Sequence, residues 1–201
     1  MGWLPTKSSG VLESIMTTEN GEPQERSIAL IGLRGCGKSV VARELAKLLE
    51  RDQVDTDELV VRRAGRSIAT IFADDGEVAF RRLEKAVIVE IAHDPPAVIS
   101  VGGGAVLDQE NVKNLRAAAT LVWLTASPEV LWHRIACDPT TASMRPPLTE
   151  ESGLAGMQQL LAQRSPLYEQ ASDLTIDTTQ RTPLEVAEAI VVSLRTDVRQ
   201  G

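Results

Sequence analysis

Aromatic side chains make up only 3% of this 201-residue chain. Any core must therefore be built mainly from Val, Leu, Ile and Ala. Cysteine is almost as scarce: Cys36 and Cys137 are the only two, which excludes a disulfide framework. No export signal is present, so both are expected to be reduced thiols in a cytoplasmic protein. No apolar run reaches the length of a membrane span, and the N-terminus lacks the apolar stretch of a signal peptide. No membrane partner is expected. His93 and His133 have no companion at catalytic or metal-ligand spacing, which argues against an imidazole base or a zinc site. Lys and Arg number 21 against 28 Asp and Glu, a net charge of −7. With no basic stripe carrying interleaved aromatics, this argues against a nucleic-acid surface. An anionic small molecule is compatible only if a local cluster of cations receives it.

The length suits one well-buried domain. Residues 1–26 are rich in Ser, Thr, Gly and Glu without sustained periodicity, and are expected to form a disordered extension. Met16 within them is a possible natural start. Residues 27–201 are expected to form the folded domain. From Ser27 onward, short apolar runs (SIALIGL, PAVISV, ATLVWLTA, DLTID) alternate with segments of helical spacing. Those segments are Lys38–Glu50, Asp57–Ala64, Glu77–His93, Pro128–Ala136, Glu151–Tyr168 and Pro183–Leu194. Alternating strands and helices imply an α/β fold of three layers, with a central parallel sheet covered on both faces. A monomer is expected.

The firmest motif is Gly32-Leu-Arg-Gly-Cys-Gly37-Lys38-Ser39, between the strand at Ser27 and the helix VVARELAKLLE. It satisfies GxxxxGK[ST] in the strand–loop–helix setting that motif requires. Consecutive backbone N–H groups and a helix N-terminus would cradle a polyphosphate. Lys38 is expected to reach the transferring phosphoryl group and Ser39 to ligate Mg²⁺; Gly35, Cys36, Gly37 and Val40 complete the ATP contacts. Cys36 is read as a small residue filling a tight turn. A lowered thiol pKa beside Lys38 is the competing possibility.

Most enzymes with this loop carry a metal-binding aspartate at the end of a second apolar strand. Here that strand, Ala97–Val101, ends instead in Gly102-Gly103-Gly104. The nearest acids are Asp55 and Asp57 in QVDTDEL, which point the same way if that segment is extended. One would touch a metal-bound water and the other an acceptor hydroxyl. Asp57 also suits a helix N-cap before ELVVRRAG, and the two roles are compatible.

In GEVAFRRLE, Glu77, Arg81 and Glu84 share one helical face beside Phe80. On this segment alone they resemble a solvated ion-pair ladder. Arg164 lies near the end of a helix, before Pro166. Arg145 sits in CDPTTASMRPPLTE, a loop long enough to be a lid. Trp123 and Trp132 are both expected to pack into the core.

Taken together, the segments resemble shikimate kinases. The P-loop, Asp-x-Asp, GRSIATIF..DGEVAFRRLE, VGGGAV, RPPL and RSPLY follow in that family's order from Ser27 to Leu194. The P-loop alone is generic, whereas the combination is specific. The resemblance implies a P-loop kinase fold of the nucleoside-monophosphate-kinase type, with a five-stranded parallel sheet and a lid at about residues 138–150. It implies transfer of the γ-phosphoryl group of ATP to the 3-hydroxyl of shikimate. On that basis Asp55 holds a metal-bound water, and Asp57 binds the ring hydroxyls and accepts the proton of the attacking one. Arg81 and Arg164 grip the carboxylate, and Glu84 orients Arg81. Gly102, Gly103 and Gly104 form a wall that offers backbone N–H groups to the ring. Arg145 is the lid arginine, and Arg134, Arg181 and Pro183 border the adenine. Two departures stand out: Val61 replaces the family's Glu after Asp-x-Asp, and Pro147 adds a second proline to a lengthened lid.

Overall fold

The computed structural model describes residues 26–137 and 153–197. Residues 1–25 of the N-terminal extension and the lid segment with Arg145 and Pro147 lie outside the described residues.

Five parallel strands form one sheet: β1 (Ser27–Ile31), β2 (Gln53–Asp55), β3 (Val98–Ser100), β4 (Ala119–Thr125) and β5 (Leu174–Asp177). Their spatial order is β2-β3-β1-β4-β5. β1 is central and buried along its whole length, so each of its residues is apolar or internally bonded. Ser27 satisfies that demand by accepting the Ala97 N–H at 3.1 Å. β3 is likewise buried throughout, as expected for a parallel strand covered on both faces.

The connecting helices are α1 (Lys38–Leu49), α2 (Thr56–Ala64), α3 (Ile68–Ile91), α4 (Gln109–Ala118), α5 (Pro128–Ala136), α6 (Leu154–Ala171) and α7 (Pro183–Asp197), with a 3₁₀ turn at Ala105–Leu107. Most expected boundaries hold within a few residues. Two expectations fail. The helix containing Glu77 begins nine residues earlier, at Ile68, because α3 runs through a kink at Gly76 with φ 77°. Ser67 starts it with its hydroxyl accepting the Thr70 N–H at 3.1 Å. α4 is a helix that apolar periodicity does not announce; its start is marked by Asp108, which accepts the Glu110 N–H at 2.8 Å. α6 runs through Pro166, as the expected segment to Tyr168 does, and continues to Ala171. Proline removes one helical hydrogen bond, but the buried side chains of Leu160, Tyr168 and Ala171 hold α6 against the sheet on both sides of it.

The core is mainly Val, Leu, Ile and Ala, as the shortage of aromatics requires. Trp123 packs against it and stacks on Tyr168 with ring centroids 5.8 Å apart. Trp132 corrects the expectation of core packing, because it lies on the outer side of α5 and is 39% exposed. Val61, the departure noted above, is partly buried against the core, consistent with a packing role.

Candidate active site

The site lies at the C-terminal ends of the strands, where open parallel sheets place ligands. The loop at residues 32–37 leaves central β1 and turns into α1. Gly35 and Gly37 have φ 87° and 95°, conformations that side-chain-bearing residues rarely adopt. Lys38 folds back over the loop, its Nζ donating to the carbonyls of Gly32 at 2.8 Å and Leu33 at 3.0 Å. The ammonium is thus held at the loop's mouth. Cys36 is buried, with Sγ 3.8 Å from that ammonium, and fills the turn as expected.

Asp55 and Asp57 meet different parts of the site: Asp55 bonds Ser39, and Asp57 lines the acceptor cavity. Asp55 ends β2 and is itself the N-cap of α2, accepting the Asp57 N–H at 3.0 Å. Asp57 is therefore not the cap. The chain turns from strand to helix between the two residues, so the alternation of an extended segment does not apply. Asp55 Oδ2 accepts from the Ser39 hydroxyl at 2.8 Å. Ser39 Oγ also lies 3.2 Å from Ser100 Oγ. Sequence reasoning missed Ser100. Its signal is the register of β2 on β3, which sets Asp55 beside Ser100. Three hard oxygen donors, Ser39, Asp55 and Ser100, thus gather at the exit of the loop.

Beyond the loop opens a cavity of about 260 Å³ lined by Arg34, Lys38, Asp57, Phe72, Arg81, Glu84, the glycine triplet and Arg164, among others. The kink at Gly76 shapes it, since Ile68 and Phe72 precede the kink and Phe80 and Arg81 follow it. Arg81 donates to Glu84 Oε2 at 2.7 Å and to Glu77 Oε1 at 3.0 and 3.2 Å. The carboxylates therefore hold a site arginine; they are not a solvated ladder. Burial works against the Arg81 charge, but Glu84 and Glu77 outweigh it and keep the guanidinium above its ordinary pKa. Glu84 is 1% exposed. Burial raises its carboxyl pKa, Arg81 opposes that, and the charge of Asp57 adds to it. Its Oε1 is buried without a hydrogen-bond partner among the described residues, an arrangement that suits a donor arriving with a ligand.

The glycine triplet is where these parts meet. A Cβ on Gly102 would lie 2.8 Å from Glu84 Oε1 and 2.9 Å from Asp57 Oδ1. On Gly103 it would lie 3.2 Å from the Gly32 carbonyl, and on Gly104 2.8 Å from Arg81 Cζ. The absence of side chains thus lets the phosphate loop, the acids and the arginine close on one strand end. One expectation changes here: the Gly102 N–H donates to Thr56 Oγ1 at 2.9 Å, so it is committed to the fold and not offered to a ring.

Tyr168, also missed as a site component, is fully buried and donates its hydroxyl to the Gly103 carbonyl at 2.5 Å. Arg164, one turn earlier on α6, approaches the same carbonyl with Nη1 at 3.4 Å. Tyr168 fixes the triplet from behind. Tyr168→Phe should leave a buried carbonyl underbonded and loosen the wall. We expect a lower melting temperature, read by thermal denaturation, and a several-fold higher KM for the acceptor with the KM for ATP unchanged. Wild-type values for both melting temperature and acceptor KM would remove Tyr168 from this role.

Arg134 joins α5 to the far side of the loop, donating to the Thr178 carbonyl at 2.8 Å and its hydroxyl at 3.0 Å. The Thr178 hydroxyl in turn donates to the Cys36 carbonyl at 3.1 Å. The Arg181 N–H reaches the Thr178 carbonyl at 3.4 Å, so Arg134 and Arg181 are brought together, near the start of α7 at Pro183. Val40 is exposed in the first turn of α1. His93 and His133 belong to no group of metal-ligating side chains among the described residues.

A nucleotide loop on the central strand, opening onto a charged cavity, defines a P-loop kinase of small molecules. The comparisons identify which one. The family model described as shikimate kinase matches residues 34–195. A shikimate kinase of Rhodopirellula baltica is 39% identical over 90% of this chain and 97% of its own length. One from Parasynechococcus marenigrum is 42% identical over 83% of this chain and 84% of its own. The solved shikimate kinase of Acinetobacter baumannii in complex with shikimate superimposes with a TM-score of 0.80 at 32% identity, over 86% of this chain and 94% of that one. A gluconokinase of Sinorhizobium meliloti, at 16% identity and a TM-score of 0.54, shares the fold. The chain belongs to the shikimate kinase family, whose members are ATP-using kinases. Among the described residues no helix is long and apolar enough to cross a membrane.

Proposed function

We propose that residues 27–201 act as one catalytic unit that phosphorylates the 3-hydroxyl of shikimate at the expense of ATP, giving shikimate 3-phosphate and ADP. The observation that carries this is the cavity itself. It joins the phosphate-loop Lys38 to Asp57 and to two arginines, Arg81 and Arg164, across a glycine wall. Paired guanidiniums suit a small carboxylate, and the buried Glu84 suits a ligand hydroxyl. The family relatives and the shikimate-bound structure of the Acinetobacter enzyme support the same acceptor.

The residues then divide the work. Lys38 and the loop N–H groups bind the β- and γ-phosphates. Asp57 receives the proton of the 3-hydroxyl as that oxygen forms its bond to phosphorus and the bond from phosphorus to ADP breaks. Arg81, oriented by Glu84, and Arg164 hold the carboxylate so that the hydroxyl lies in line. Ser39, Asp55 and Ser100 present the hard oxygens that Mg²⁺ prefers. When bound there, Mg²⁺ would neutralise phosphate charge. Arg145 is assigned to the lid and Arg134 and Arg181 to the edge of the adenine slot. The protein would act in the cytoplasm as a monomer.

The test is release of ADP by the purified chain with ATP, Mg²⁺ and shikimate. Turnover is expected with shikimate and not with gluconate or a nucleoside monophosphate; the reverse would overturn the acceptor assignment.

A further inference from the structure

Thr178 stands just past β5, yet its side chain touches the nucleotide loop 142 residues earlier in the chain. It is 2% exposed, and each of its polar atoms is engaged. The backbone N–H donates to the Thr125 carbonyl at 2.8 Å, which fixes the residue on the end of β4. Arg134 donates to its carbonyl at 2.8 Å and to its hydroxyl oxygen at 3.0 Å. A guanidinium has no acceptor, so the one hydroxyl proton goes to the Cys36 carbonyl, 3.1 Å away. Arg134 also approaches the preceding carbonyl of the loop, that of Gly35, at 3.4 Å.

The Cys36 carbonyl shares a planar trans peptide with the Gly37 N–H, and the two point in opposite directions. Holding the carbonyl towards Thr178 therefore turns the Gly37 N–H to the other side of the loop. Thr178 does not line the acceptor cavity, whereas Lys38 does, so that other side is where the loop opens. This peptide is also easily turned over. A flip needs only the ψ of Cys36 and the φ of Gly37 to rotate together, and glycine accepts either sign of φ. Gly37 stands at φ 95° and caps α1 with no side-chain bond, so nothing on the residue itself holds the peptide. A flipped peptide would present a carbonyl oxygen where a polyphosphate needs a donor.

We propose that Thr178 is a positioning residue for the nucleotide: its hydroxyl locks the Cys36–Gly37 peptide so that the Gly37 N–H stays aimed at the phosphate chain. Arg134 braces that hydroxyl from the side of α5. What Thr178 serves is the triphosphate and not the base, because the atom it holds is a carbonyl of the phosphate loop. The inference rests on that loop binding phosphates, as proposed above.

Calorimetric titration of the full chain tests the lock. Wild type, Thr178→Val and Thr178→Ser are each titrated with Mg²⁺ and ATP, with Mg²⁺ and inorganic tripolyphosphate, and with shikimate. Valine keeps the shape and removes the hydroxyl, whereas serine keeps the hydroxyl. Thr178→Val should weaken ATP and tripolyphosphate by the same factor, on the order of 10-fold, with shikimate affinity unchanged. Thr178→Ser should bind both within about 3-fold of wild type. Wild-type affinity of Thr178→Val for tripolyphosphate would overturn the role, and a loss confined to ATP would place Thr178 at the base instead. An equal loss for shikimate would also overturn it, since general loosening then explains the effect. Should Thr178→Val not fold, wild type labelled at its glycine nitrogens decides the matter by nuclear magnetic resonance. The Gly37 N–H signal should shift and exchange more slowly with solvent when tripolyphosphate binds; an unmoved Gly37 signal would overturn the lock. A wild-type protein that binds neither ATP nor tripolyphosphate would overturn the assignment of the loop, and this inference with it.

Discussion

Asp57→Asn is expected to lower kcat by roughly 10²- to 10⁴-fold, the range for loss of a positioned proton acceptor. The protein should still fold. The backbone of Asp57 is held by the Asp55 cap through its N–H, a bond that does not involve its own side chain. The substitution also removes a negative charge that disfavours ionisation of the buried Glu84. ATP binding should be unaffected, because the loop contacts are made by other residues. Steady-state kinetics beside a thermal melt check this: a variant that melts like wild type and turns over within a few-fold of it would exclude Asp57 as the base.

Gly104→Ala carries the second large effect. The added methyl would stand 2.8 Å from Arg81 Cζ, too close for any real contact. The far end of Arg81 must swing away, breaking the alignment set by Glu84 at 2.7 Å. The fold survives, because a flexible side chain yields and not backbone. Carboxylate recognition does not, and the KM for shikimate should rise on the order of 10- to 100-fold with the KM for ATP unchanged. Gly103→Ala should behave differently. Its methyl meets the Gly32 carbonyl at 3.2 Å, so it presses on the phosphate loop and should disturb ATP as well. Steady-state kinetics varying each substrate in turn on both variants distinguishes the two effects. A Gly104→Ala enzyme with the wild-type KM for shikimate would show that the triplet does not support Arg81.

Local chemistry explains which parts of this picture were legible in advance. The phosphate loop was legible because its glycines, lysine and serine are contiguous and their backbone geometry is a local property. Glu77, Arg81 and Glu84 were legible as a set because helical spacing alone puts them on one face. Their meaning was not, since a ladder in solvent and a held site arginine have the same spacing; only burial of Glu84 separates them. Exposure of Trp132 was misjudged for a related reason. Tryptophan carries a strong tendency towards the core, and the packing of α5 leaves it unused.

The sequence by itself determined the class of fold, the nucleotide loop and the set of charged residues from which a site is made, because these depend on periodicity and contiguous motifs. The tertiary structure decided the pairings. It put Ser100 beside Asp55 by strand register, separated Asp55 from Asp57 by a strand-to-helix turn, and set Tyr168 under Gly103. It also turned Arg34 from a loop residue into a lining of the acceptor cavity. Each of these is a contact between segments distant in the chain or a turn in its path, and neither is specified by local spacing.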